Sequence, residues 1–78
     1  MRKSRYTRKY ARLLQLLREA RERAGLTQGE VAHRFGAYAS FVSKVESGER
    51  RLDVVELAEF CDLYGIRLGS LLEQAGIV

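Results

Sequence analysis

The stretch from Thr27 to Gly48, TQGEVAHRFGAYASFVSKVESG, constrains the fold of this chain more than any other. Thr27 and Glu30 make the T-x-x-E pattern of a capping box. In that motif the hydroxyl accepts from the backbone N–H three residues on, and the glutamate reaches back to the cap's own N–H. Leu26 before the cap and Val31 within the helix are placed to close over it as a hydrophobic staple. Val31, Ala32 and Phe35 fall at helical spacing, so one side of this segment is apolar. A helix is predicted over about Gln28 to Phe35, stopped by Gly36 where a left-handed residue is wanted. A further helix is predicted from about Ala39 to Ser47, with Val42 and Val45 facing inward and Gly48 as its stop. Two short helices joined by a glycine turn are the helix-turn-helix pattern.

The rest of the chain has to support that unit with little material. Its 78 residues are expected to form one domain, residues 1–78, with no room beside it for a sensor or catalytic domain. A chain this short has a thin margin of buried area, so its helices pack compactly or a partner covers an apolar face. The one cysteine, Cys61, excludes an internal disulfide and a cysteine-based zinc site. It suits a reducing, cytoplasmic setting. No run of about eighteen apolar residues is present, so no membrane span or membrane partner is expected. The N-terminus is basic but lacks the apolar stretch of a signal peptide.

Charge is distributed unevenly. Residues 1–51 carry 13 basic and 5 acidic side chains, a balance of +8, whereas residues 52–78 carry 1 basic and 5 acidic, a balance of −4. A charge run is commonly no more than a solvated face. Here the basic half also contains the helix-turn-helix, which favours a polyanion as its partner.

Tyr6, Tyr10, Leu13, Leu14, Leu17, Ala20 and Ala24 continue one helical stripe, predicting a long first helix from about Thr7 to Ala24, with Ser4 or Thr7 as cap and Gly25 as stop. Residues 1–10 are a basic arm that can extend this helix. Two readings stand for Arg2, Lys3, Arg5, Arg8 and Lys9: an arm that contacts phosphate or reaches a minor groove, or a basic tail that serves solubility. Asp53 and Glu56 open a fourth helix with an acid cap and its capping-box partner. Val54, Leu57, Ala58, Cys61 and Tyr64 are expected to form its inward stripe. Cys61 therefore reads as a buried structural thiol. Asp53, Glu56, Glu59 and Asp62 make the remaining surface negative, a face expected to point away from nucleic acid. After Gly65, Ile66, Leu68, Leu71 and Leu72 begin a last short helix ending near Gly76. The fold class expected is all-α, with five helices.

The residues Leu26-Thr27-Gln28, Val31-Ala32, Phe35-Gly36 and Phe41-Val42-Ser43-Lys44-Val45-Glu46-Ser47-Gly48-Glu49-Arg50-Arg51 closely resemble the Cro/phage-repressor-like (XRE-type) helix-turn-helix family. The similarity runs from about Leu13 to Leu72. It implies a compact lambda-repressor-like DNA-binding domain whose third helix reads duplex DNA. By helical spacing and family match, the outward positions of that helix are Ala39, Ser40, Ser43 and Lys44. Ser40 and Ser43 can donate to or accept from base edges or phosphates. Lys44 can bond guanine O6 and N7 or hold a phosphate, and Ala39, where relatives often carry glutamine, can touch a thymine methyl. The family's backbone contacts map onto Gln28, at the first turn of its helix, and onto the loop residues Arg50 and Arg51. Tyr38 stands where relatives often cap the helix with serine. The swap weakens the cap and puts an aromatic hydroxyl near the backbone. Leu52 replaces a frequent family proline, which implies a less rigid loop. Phe41 is expected to pack against the second helix or the neighbouring loop rather than touch a base. The family also has a glutamate paired with an arginine of the first helix, here Glu46 with Arg21.

The function this implies is sequence-specific binding of double-stranded DNA by a small transcriptional regulator, as a repressor acting as a dimer on a pseudo-palindromic operator. Leu68, Leu72, Ile77 and Val78 are the residues expected at the dimer surface. The rival reading is a protein-interaction module, such as an antitoxin or adaptor, in which DNA binding is secondary. RNA binding fits less well, because no stacking aromatics on a strand platform are suggested. Enzyme activity is not expected, nor is a metal or cofactor. The one histidine, His33, falls on a different helix from Cys61 and reads as a surface residue.

Overall fold

The computed structural model describes residues 7–78, which form five helices in the order α1 (Arg8–Arg23), α2 (Gln28–Arg34), α3 (Ala39–Ser47), α4 (Val54–Tyr64) and α5 (Leu68–Gln74). No strand occurs among the described residues. The all-α expectation and the five helices both hold. Tyr6 and the basic residues Arg2, Lys3 and Arg5 lie outside the described residues.

α1, α2 and α4 start at side-chain caps that satisfy otherwise orphaned N–H groups. Thr7 caps α1, its hydroxyl accepting from Tyr10 N at 3.1 Å, and Ser4 lies outside the described residues. Both predicted capping boxes form. Glu30 N donates to Thr27 Oγ1 at 3.1 Å while Thr27 N donates to Glu30 Oε1 at 2.9 Å. In α4 the matching bonds join Asp53 and Glu56, at 2.8 and 3.1 Å. Two glycines make the ends of the helix-turn-helix possible. Gly36 and Gly48 have φ of +66° and +86°, a left-handed geometry that a Cβ would strain.

One core joins all five helices. It is built from Leu13, Leu16, Leu17 and Ala20 of α1, Val31 and Ala32 of α2, Val42 and Val45 of α3, the inner side of α4, and Leu71 with Ala75 at the C-terminal end. α2 and α3 pack chiefly on each other, and α1 runs behind α3, α4 and α5. Leu26 packs against this core at the entry to α2, where the staple places it.

Two predicted stripes need correction. On α1, Leu16 is buried and Ala24 is exposed, since Ala24 is the cap residue beyond the last packed turn. On α4 the buried residues are Leu57, Phe60, Cys61 and Tyr64, while Ala58 is exposed and Val54 and Val55 are 67% and 64% exposed. Val54 has the right phase for the stripe, but the first turn of α4 overhangs the core. Phe60, among the largest fully buried side chains, takes the central place instead. It lies 4.7 Å from the Phe35 ring and 6.1 Å from that of Phe41, centroid to centroid. Phe41 therefore packs inward as expected, with an α4 partner added to α2.

Candidate nucleic-acid interface

α3 has two chemically opposite sides. Val42 and Val45 are completely buried, whereas Ala39, Ser40, Ser43 and Lys44 are all exposed. This follows from helical periodicity: residues 42 and 45 share one side, and residues 39, 40, 43 and 44 share the other. Ser47, four residues beyond Ser43, is also exposed, though its hydroxyl turns back to donate to Lys44 O at 3.1 Å. Helical spacing alone places that residue on the outward side. Tyr38 occupies the N-cap with extended backbone but makes no side-chain cap bond. The residue is 85% exposed, so an aromatic with a hydroxyl projects beside Ala39 at the entrance to the helix.

Glu46, on the same helix, is turned inward. Arg21 grips it as a fork, Nε to Oε2 at 2.6 Å and Nη2 to Oε1 at 3.2 Å, with the side chains only 10% and 7% exposed. The third nitrogen, Arg21 Nη1, donates to Leu26 O at 2.8 Å. The bond to Glu46 raises the Arg21 pKa further above its already high value, so the guanidinium keeps its charge. Gln28 completes the cluster, its Nε2 donating to Glu46 Oε1 at 2.9 Å. One carboxylate thus ties α1, α2 and α3 together. It also fixes the amide of Gln28 and leaves that nitrogen's second hydrogen for another acceptor. The resemblance supplied the Arg21–Glu46 pair, and nothing in the sequence signals the Gln28 arm of the cluster.

The hydroxyl of Tyr64 is buried near this pair yet hydrogen-bonds to no protein atom. Burial, then the nearby Glu46 charge, push its pKa well above the ordinary tyrosine value. Burial likewise pushes the Cys61 thiol up, as befits a structural cysteine.

The loop after α3 is tied at several points. Arg50 N donates to Lys44 O at 3.1 Å, closing the end of the helix. The Arg50 guanidinium forks Glu56, with Nη1 to Oε1 at 3.0 Å and Nη2 to Oε2 at 2.9 Å, and it lies 4.8 Å from the centre of the Phe41 ring. Arg51 stacks over Tyr10 at 4.5 Å, and Leu52 N donates to the Tyr10 hydroxyl at 3.3 Å. Where relatives frequently have a proline, Leu52 keeps a backbone N–H that reaches α1, and the neighbouring Arg50 reaches α4. Arg51 is exposed as a phosphate contact requires, whereas Arg50 is already matched by a carboxylate.

Two groups of predicted residues stand apart from this face. Leu68 and Leu72 are half-buried and pack against their own core, while Ile77 and Val78 are exposed at the C-terminal end. His33 is exposed on α2, and among the described residues no cluster of His, Cys, Asp or Glu has the makings of a metal site. None of the described helices is long and apolar enough to cross a membrane.

Comparison with known proteins agrees with this architecture. A helix-turn-helix domain family matches residues 12–75. Among solved structures, an XRE-family like protein from Pseudomonas syringae pv. tomato str. DC3000 is similar, with 50% sequence identity and a TM-score of 0.80 over 87% of this chain and 83% of that one. No curated protein matches the chain. A helix-turn-helix match over most of the sequence, with 50% identity to an XRE-type structure over the part compared, assigns this chain to the XRE-type helix-turn-helix family of DNA-binding regulators.

Proposed function

We propose that this protein is a sequence-specific binder of duplex DNA that represses transcription by occupying a pseudo-palindromic operator as a dimer. The observation that carries the proposal is the uncovered side of α3, where Ala39, Ser40, Ser43 and Lys44 are exposed on a helix that is buried on the other side and anchored through Glu46. A rigid helix bearing short polar groups and one cation suits a major groove, where each base pair presents a distinct pattern of donors and acceptors. Gln28, Tyr38 and Arg51 flank that helix and are the proposed backbone contacts. Phosphate neutralisation supplies affinity and salt dependence, and the α3 side chains supply discrimination.

A single helix reads only a few base pairs. A symmetric pair of subunits doubles the reading, with half-site centres about 34 Å apart or a multiple of it. Leu68, Leu72, Ile77 and Val78 are proposed as the apolar surface between subunits. The functional test is selection of bound duplexes from a random pool, followed by a salt titration of the selected duplex and a scrambled one. A palindromic consensus bound more tightly than the scramble is expected. Equal binding to both would leave the protein-interaction reading in possession. Sedimentation at micromolar concentration, with and without the selected duplex, tests the dimer: a monomer under both conditions removes it.

A further inference from the structure

Arg50 lies in a loop well placed for phosphate, and an arginine in sequence invites that role. Its surroundings point elsewhere. Three of its N–H groups are committed, two to the carboxylate of Glu56 and one to Arg51 O. Glu56 takes the end-on edge of the guanidinium, Nη1 with Nη2, and the side edge of Nε with the other Nη2 hydrogen is the second edge that can fork an oxyanion. One flat face lies toward Phe41, which in turn stacks on Phe60 of α4. Glu56 is equally committed, because its Oε1 also accepts from Asp53 N in the capping box of α4. A phosphate on the end-on edge would have to displace this carboxylate and leave it unpaired beside a polyanion, and one on the side edge would meet a guanidinium whose charge Glu56 already balances. The exchange of one anion for another would yield little net affinity.

We propose that Arg50 is a positioning residue and not a phosphate contact. Through Phe41 and Glu56 it sets how the recognition helix and its following loop lie against α4. The proposal rests on the DNA-binding reading only for its consequence; the strut is a property of the free protein. Glu56 fits the task because an acid at the third position of a helix is held by its own cap, so the arginine binds a fixed anchor.

Three variants of the full chain separate a strut from a phosphate contact. Arg50→Lys keeps the charge but cannot make the fork. Glu56→Gln keeps the capping box, which glutamine can complete, but removes the carboxylate. The third carries both changes. Each is titrated against the selected and the scrambled duplex over a range of salt, at a temperature where its circular dichroism shows it folded. A strut predicts that either single change weakens binding to the selected duplex by about ten-fold. The double variant should be no more than about two-fold worse than either, because residues in one network are non-additive. Binding to the scramble and the salt slope stay unchanged. A phosphate contact predicts the opposite: Arg50→Lys near wild type, and Glu56→Gln binding both duplexes more tightly with a steeper slope, since it releases a cation. That result overturns the proposal.

A readout without DNA keeps the two readings distinct. Arg50 side-chain protons over the Phe41 ring should be shifted upfield in the NMR spectrum of the free wild type and return towards ordinary values in Glu56→Gln. Absence of that shift overturns the strut whatever the DNA result. A wild type showing the shift but no preference between duplexes overturns the DNA reading and leaves the strut in place.

Discussion

Two arginine–carboxylate forks brace α3, and they differ in nearly every physical respect. Arg21 and Glu46 are 25 residues apart in sequence, with side chains 10% and 7% exposed. Arg50 and Glu56 are 6 residues apart, and their side chains are 42% and 26% exposed. The first pair sits in a low-dielectric interior where each charge depends on the other. The second is open to water and salt, which weaken its contribution to stability. Similar chemistry is therefore expected to do different work: the inner fork holds the domain together, and the outer one aims the helix that the inner one secures.

Breaking the inner fork should have the largest effect. Glu46→Ala leaves Arg21 charged and buried and releases Gln28, with an expected loss of about 3–5 kcal/mol in urea denaturation. Replacing both partners, as Arg21→Met with Glu46→Leu, should recover much of that loss, because an apolar pair carries no desolvation penalty. A loss well below 1 kcal/mol for Glu46→Ala would place the pair among ordinary surface bridges and erase the contrast.

Next in size is the unpartnered hydroxyl beside the inner fork. Tyr64 lies within the field of Arg21 and Glu46 but bonds to neither. Removing a buried hydroxyl without a partner should help, so Tyr64→Phe is expected to stabilise the protein by about 1 kcal/mol. A loss of stability on this change would mean that the hydroxyl has an acceptor or donor after all.

The smallest effect sharpens the outer fork. The bond to Arg50, followed by the Asp53 backbone N–H, lowers the Glu56 pKa below the ordinary glutamate value. A carboxyl whose pKa is lower in the folded than in the unfolded state stabilises the protein above the ordinary value and loses that contribution as pH falls through the folded one. The stability difference between wild type and Glu56→Gln should therefore shrink as pH is lowered from neutrality to about 3. It should shrink further in high salt. A difference constant across that range would detach the pH response from this carboxyl.

The same contrast explains what could be read from residues alone. Caps, stops and faces within one helix are local. Thr27 with Glu30, Asp53 with Glu56, the glycine stops and the inward Val42 and Val45 all stand where their spacing puts them. The outward face of α3 was legible for the same reason. Period assigns a residue to a face but does not say where a helix leaves the core, so Val54 was expected inside and Phe60 was passed over. Contacts between elements were harder still. The Tyr10 hydroxyl meets Leu52 N across 42 residues of sequence. A cation in sequence does not show its partner: nothing in the spacing pairs Arg50 with Glu56, whose carboxylate counts towards the negative face of α4. Arg21 with Glu46 is the exception, and it came from the family resemblance and not from spacing.

The most direct test of the central claim is the ratio of affinities for the selected and scrambled duplexes at one fixed salt concentration. It is measured for wild type and for Ser40→Ala, Ser43→Ala and Lys44→Ala combined. These side chains lie on the exposed side of α3, so the variant should melt close to wild type. The wild-type ratio is expected to reach about 10³ or more, and the variant's ratio should fall towards one. A wild type that binds both duplexes equally, or a folded variant that discriminates as well as wild type, would contradict a recognition role for this face.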